Sequence, residues 1–278
     1  MFTPDTLPPG ADLVGRGLIV VPHEVYRAAP GVSRSGLEHF ARSPAHYRAF
    51  LEQDERSTPA LRFGRIFHRY LLEPDLCRLA VYDGPAKNTK AGKDAWAEFL
   101  ERVSGAEIVS AEEHAALEGM MKSVRAHRSA RDLMDIPGPV EASRWNYPDK
   151  RSGVLAKARP DKLLDSLSYV LDLKTAEDAS PAGFAKAVAK HRYHVQQAWY
   201  VDTLGLPPDT PFFFVAVEKA APYAVAVYQL APEDAARGRE VYRRELLDLA
   251  ECMSRDEWPA YSQNIETLTL PAWARQGA

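Results

Sequence analysis

The rhythm of apolar and polar positions changes near Pro137. Before it, apolar residues recur every three or four positions, the spacing of helices; after it, short alternating runs dominate. Residues 1–31 are proline-rich with little periodicity and predict an irregular arm. Ser43-Pro44 and Thr58-Pro59 each set a capping hydroxyl before a proline at the first helical position. The second pair opens "ALRFGRIFHRYLLEP", where Gly64, Phe67, His68 and Leu71 share one face and Pro74 stops the helix. "KNTKAGK", residues 87–93, reads as a flexible basic loop. Ser110 and Glu113 form a capping box for a helix across "AEEHAALEGMMKSVRAH".

Beyond Pro137, "PVEASRWNY", "GVLAKARPDKLL" and "SYVLDLKTA" read as strands, bounded by Asp149, Gly153, Asp165 and Ser166. The short gaps predict an antiparallel meander. Ser180-Pro181 opens a helix over "AGFAKAVAKH", and a second helix covers "YHVQQAWYVDTL" up to Gly205. "PFFFVAVEK" and "YAVAVYQL" predict two further strands before a long helix at about 232–254. The order predicts one α/β domain, residues 32–278, around a mixed sheet with helices on its faces. Its helical part would be 32–136 and its sheet core 137–278.

Composition narrows the function. The 278 residues allow a sizeable core, and the net charge of −3 means that any nucleic-acid surface must be local. Cys77 and Cys252 make no CxxC pair and no disulfide framework, and two cysteines exclude a four-cysteine iron–sulfur cluster built from this chain. They fit a reducing cytoplasm. No run reaches transmembrane length and the start lacks a signal-peptide pattern, so no membrane role is expected.

The chemistry concentrates in "VLAKARPDKLLDSLSYVLDLKTAED", residues 154–178. Asp161 ends one apolar run; Asp172 and Lys174 interrupt the next. All three are poor strand formers and costly to bury. At strand spacing Asp172 and Lys174 share a face, with Leu171, Leu173 and Thr175 on the other. Two carboxylates and a main-chain carbonyl, that of Leu173, make a hard oxygen site for Mg²⁺ or Mn²⁺. A neighbouring lysine can stabilise charge on a phosphate under attack. A solvated Asp–Lys pair is the bland alternative. The apolar setting on both sides argues against it.

"RPD" followed by "DLK" resembles the PD-(D/E)xK nuclease signature. "GRIFHRYLLEP", "KARPDKL", "LDLKTAEDAS" and "YHVQQAWYVD", in that order, resemble the exodeoxyribonuclease VIII (RecE) type of phage exonuclease. "SRSGLEHFARSPAHYRAF" and "WPAYSQNIETLTLPAW" extend the resemblance to roughly residues 30–273. It implies a restriction-endonuclease-like core and a metal-dependent exonuclease that degrades one strand of linear duplex DNA from its 5′ end. It implies His68, Asp161 and Asp172 as metal ligands, Lys174 as the catalytic lysine, and Gln196 and Tyr200 on the following helix as catalytic partners. It further implies a ring-shaped oligomer and a single-strand annealing protein, of the RecT type, as partner.

Other residues are weaker candidates. Gln196 and Tyr200, four apart on one helix face, could bond a phosphate or form a polar rim beside Trp199. Glu141 could reach the metal from the first strand, or stay solvated. Residues 141–200 hold ten Lys or Arg against seven Asp or Glu, and from these Lys157, Arg159, Lys186, Lys190 and Arg192 are candidate DNA contacts. Two rival readings stay open: another nuclease on the same fold (a structure-specific endonuclease or a single-strand exonuclease) and a non-catalytic DNA-binding module.

Overall fold

The computed structural model describes residues 12–15, 17–52, 58–164 and 168–270. The turn residues Asp165 and Ser166, the first eleven residues and the last eight lie outside them. The chain begins with β1 (Asp12–Gly15), β2 (Leu18–Val20) and α1 (His23–Ala28). Then come α2 (Arg34–Arg42), α3 (Pro44–Glu52), α4 (Pro59–Leu72), β3 (Leu79–Val81), α5 (Lys90–Arg102), β4 (Glu107–Val109), α6 (Ala111–Ala126) and α7 (Arg128–Asp135). The second half runs β5 (Ala142–Pro148), β6 (Leu155–Ala158), β7 (Lys162–Leu164), β8 (Tyr169–Ala176), α8 (Pro181–Lys190) and α9 (Tyr193–Leu204). It ends with β9 (Phe212–Glu218), β10 (Val225–Tyr228) and α10 (Pro232–Arg255).

The expected caps are present. Thr58 accepts from the Leu61 N–H, Ser180 from the Gly183 N–H, and Ser110 with Glu113 closes its box. Gly205 ends α9 at φ 72°, a left-handed turn that glycine adopts without strain.

The strands form two four-stranded sheets, ordered β1-β2-β5-β6 and β10-β9-β8-β7, with a parallel β3-β4 pair apart from both. In the second, β8 and β9 run parallel while β7 and β10 pair antiparallel at its edges, so this sheet is mixed, as expected. Its two faces bury different partners because side chains alternate along each strand. Leu171, Leu173, Val215 and Val217 pack against Ile66 and Phe67 of α4 and Leu117 and Met120 of α6. Val170, Phe212, Phe214 and Ala216 belong to the cluster that holds Trp199 of α9 and Tyr242 and Leu246 of α10. The Trp199 indole donates to the Lys157 carbonyl at 3.1 Å, which ties α9 to β6. Gly238 of α10 lies so close to α9 that a Cβ there would be 2.1 Å from the His194 carbonyl oxygen.

Four expectations need correction. The arm is not irregular throughout, since it holds β1, β2 and α1: β2 pairs with β5, and Leu18 and Ile19 are fully buried. "KNTKAGK" is half helix, since Thr89 caps α5 and Lys90 begins it. The helical part contains the β3-β4 pair, closed by parallel register from Leu79↔Glu107 to Val81↔Val109. The meander is also broken. "GVLAKARPDKLL" is two strands, β6 and β7, which leave Arg159-Pro160-Asp161 between them and join different sheets. Proline lacks the N–H that an uninterrupted ladder needs, so the strand splits there. Among the described residues, no helix is long and apolar enough to cross a membrane.

Candidate active site

The break at Pro160 creates the site. β7 pairs with β8 from Leu164↔Tyr169 to Lys162↔Leu171, so that among the described residues the β8 edge beyond Leu171 has no strand beside it. Asp161 fills that notch: its Oδ2 accepts the Leu173 N–H at 2.6 Å, taking the place of a ladder bond. A strand residue's N–H and C=O point to the same side, so the Leu173 carbonyl faces the same notch.

Asp172 and Lys174 project toward α9. Asp172 is 1% exposed, and its Oδ1 accepts from Gln196 Nε2 at 2.7 Å. Lys174 Nζ lies 2.5 Å from Asp172 Oδ2 and 4.6 Å from the centre of the Tyr193 ring. From the opposite face, α4 brings His68 Nδ1 to 3.4 Å from Asp161 Oδ1. Asp161 therefore meets both halves of the site at the sheet edge.

Electrostatics sets the carboxyls apart. Burial pushes Asp172 up to about 6, aided by the Asp161 charge and opposed by Lys174. Burial also acts to raise Asp161, but His68, Lys174 and the Leu173 N–H together hold it below the usual carboxylate range. Burial pulls His68 down, yet the charge and hydrogen bond of Asp161 leave it raised. Tyr200 is held well above its ordinary value by burial and then by Asp172, Tyr26 and Asp161, so its hydroxyl keeps its proton as a donor.

Of the expected residues, His68, Asp161, Asp172, Lys174 and Gln196 share contacts, and Tyr200 lies in the field of both carboxylates. The candidate DNA contacts scatter. Lys157 is committed elsewhere: its Nζ donates to the carbonyls of Arg27 at 2.8 Å and Ala29 at 2.7 Å, closing the end of α1. Arg192 pairs with Glu245 and donates to the Leu37 carbonyl, joining α9 to α10 and α2. Neither is free to take a phosphate. Lys186 and Lys190 are exposed on α8. Arg159 is 8% exposed and paired with Glu141, not set on an open surface. Tyr26, beside Tyr200, is a neighbour of the site that the sequence pattern does not single out, because its helix α1 lies in the arm expected to be irregular. "PHEVYRAAP", a short amphipathic run between prolines, was the available signal.

The donor set suits a divalent metal in kind: a buried carboxylate (Asp172), a half-buried one (Asp161), an imidazole and a main-chain carbonyl. Asp172 Oδ2 is buried and faces the Lys174 ammonium at 2.5 Å, outside hydrogen-bond geometry, which leaves a lone pair that a metal cation could take. Among the described residues no three His, Cys, Asp or Glu side chains converge as a ready-made ligand group. The counter-charge against Asp172 in this arrangement is the Lys174 ammonium.

An acid at a broken strand end, D-x-K on the next strand and a mixed sheet between helix layers define the PD-(D/E)xK class of fold. The chain belongs to the family described as a PDDEXK-like domain of unknown function (DUF3799), which it matches over residues 33–271. No curated protein matches it significantly. Among solved structures, it is similar to a "Putative exonuclease" from Eubacterium rectale, at TM-score 0.56 and 12% identity over 93% of this chain and 98% of the other. At that identity the likeness speaks for the fold alone.

Proposed function

We propose that the protein is a metal-dependent exodeoxyribonuclease that hydrolyses linear double-stranded DNA from the 5′ end, in phage-type recombination. One observation carries the chemistry: Lys174 Nζ stands 2.5 Å from buried Asp172, beside an Asp161 anchored by His68 and the Leu173 N–H. Nothing structural requires a buried acid and a half-buried lysine paired on a central strand, where apolar residues would be more stable. The polarity and the duplex substrate come from the sequence resemblance.

His68, Asp161, Asp172 and the Leu173 carbonyl would hold Mg²⁺ or Mn²⁺. Such an ion supplies charge neutralisation at the phosphate and a more acidic water. The chain's own residues do the rest. Lys174 offers an ammonium to the charge that builds on the phosphoryl oxygens. Tyr193 lies beneath that ammonium and limits where it can go. Gln196 holds the Asp172 carboxylate in one orientation, and Tyr200 presents a protonated hydroxyl.

The test is digestion of end-labelled linear duplex with Mg²⁺, beside covalently closed circular DNA, for the wild type and Lys174→Ala. Loss of linear DNA alone, abolished by the substitution, supports the proposal. Cleavage of the closed circle favours an endonuclease. Folded, metal-supplied protein that digests nothing favours a non-catalytic binding module. A ring-shaped oligomer belongs to the same proposal and is checked by light scattering. An annealing protein as partner is checked by co-purification.

A further inference from the structure

The turn between α8 and α9 carries an exposed ring beside the site. His191 caps the C-terminal end of α8, and the residue is exposed. Its ring stacks on Tyr193, with centres 5.6 Å apart and planes 24° apart. Tyr193 stacks in turn on buried Phe214, at 5.9 Å and 23°. These nearly parallel rings lead from the sheet core out to the surface. The Lys174 ammonium lies over the middle one, 4.6 Å from the Tyr193 centre. His191 is thus one ring away from the group that would meet the phosphate.

The turn is built to hold that ring in place. Arg192 is left-handed at φ 57°, a conformation that is costly for a residue with a side chain. Its guanidinium pairs with Glu245 of α10 and donates to the Leu37 carbonyl of α2. Arg34 of α2 donates to the His191 carbonyl. These bonds fix the main chain and leave the imidazole free: among the described residues the ring has no hydrogen-bond partner. Partial burial, then Lys190, with Arg34 and Lys174 behind it and Glu38 opposing, hold its pKa below the ordinary value, so the ring is uncharged at neutral pH. A histidine at a helix end supports the helix through its positive charge, which this one lacks, so the fold gains little from it. The surroundings suit nucleic acid. Lys186 and Lys190, one turn apart on the exposed face of α8, continue from His191 as cations for neighbouring phosphates.

We infer that His191, backed by Tyr193, is a stacking platform for the nucleobase next to the scissile phosphate. Tyr193 covers one face of the imidazole, and a base covers the other. Every base has a π-face, so such a platform holds the strand in place without selecting a sequence. A phosphate at Lys174 brings its own nucleoside within reach of the outer ring, since a nucleotide extends from backbone to base across that gap. This inference rests on the nuclease proposal but is tested apart from it.

The experiment is a cycle that removes the ring and the base in turn. Hairpin duplexes carry an abasic nucleotide at successive positions from the end, on either strand. Binding is read in EDTA by fluorescence anisotropy, and KM is read in digestion with Mg²⁺, for the wild type, His191→Ala and His191→Phe. In the wild type, an abasic nucleotide at the stacked position should weaken binding about 5- to 100-fold, and His191→Ala should weaken binding of intact DNA by a similar factor. In His191→Ala the abasic position should cost nothing further. His191→Phe should restore wild-type behaviour, because it keeps an aromatic face without the ring nitrogens. An abasic penalty equal in the wild type and in folded His191→Ala at every position would overturn the inference. So would a His191→Phe variant that behaves like His191→Ala, since the ring nitrogens rather than the ring face would then be at work. Either result, with digestion intact, leaves the nuclease proposal standing. Absence of digestion with the coupling present in EDTA would sink the nuclease proposal and keep the platform.

Discussion

Replacing Asp172 with asparagine should stabilise the metal-free protein while removing activity. The carboxyl is 1% exposed and is pushed from its ordinary 3.8 up to about 6. At neutral pH the ionised folded state is therefore disfavoured, relative to the unfolded chain, by about 3 kcal/mol. That figure already includes the attraction of Lys174. Asparagine has nearly the same shape, carries no charge and can still accept from Gln196 Nε2. The expected gain in EDTA at pH 7.5 is up to about 3 kcal/mol, or a Tm higher by about 5 °C for a domain of this size. The sign gives the control. A carboxyl raised in the folded state binds its proton more readily there, so wild-type stability from this group grows as pH falls from above 6 toward 4. The gap between variant and wild type must therefore close over that window. Parallel thermal melts from pH 8 to pH 4.5 in EDTA read it directly. A variant less stable than wild type at pH 7.5, or a gap that ignores pH, would refute the reasoning.

Three further outcomes are expected. Lys157→Met should cost about 1–3 kcal/mol, because the ammonium bonds carbonyls at the end of α1, and should leave the salt dependence of DNA binding unchanged; a salt slope reduced by about one would instead make Lys157 a phosphate contact. His68→Ala should raise the Mg²⁺ concentration needed for half-maximal digestion about tenfold or more with the fold intact by circular dichroism, and an unchanged metal titration would remove His68 from the ligand set. Gly138→Ala would place a Cβ 1.8 Å from the Leu163 carbonyl oxygen, so it should push the 139–141 segment off β7, lower Tm and cut digestion through displaced Asp161; melting and digestion that match wild type would show that the segment tolerates the shift.

Local signals were readable where local physics decides. Thr58-Pro59, Ser110 with Glu113, Ser180-Pro181 and Gly205 each act within one turn of chain, and each marks a helix end in the structure. The alternation around Asp172 and Lys174 put both on one face of β8 before any partner was known, because side-chain alternation is a property of the strand itself. The arm escapes a local reading because β1 and β2 are short: β1 pairs with β2, and β2 is held by β5, which lies over a hundred residues away.

The charged candidates show the same division. Sequence alone determined which residue types could hold a metal and a phosphate, and in what order they occur. It could not say that Lys157 closes a helix, that Arg192 ties α9 to Glu245, or that Arg159 keeps two donors unbonded. A cation's role depends on which acceptors surround it, and those come from residues distant in the chain. Only the tertiary structure decided that the proline break before Asp161 ends one sheet and begins another, opening the strand edge where the two carboxylates, His68 and Lys174 meet.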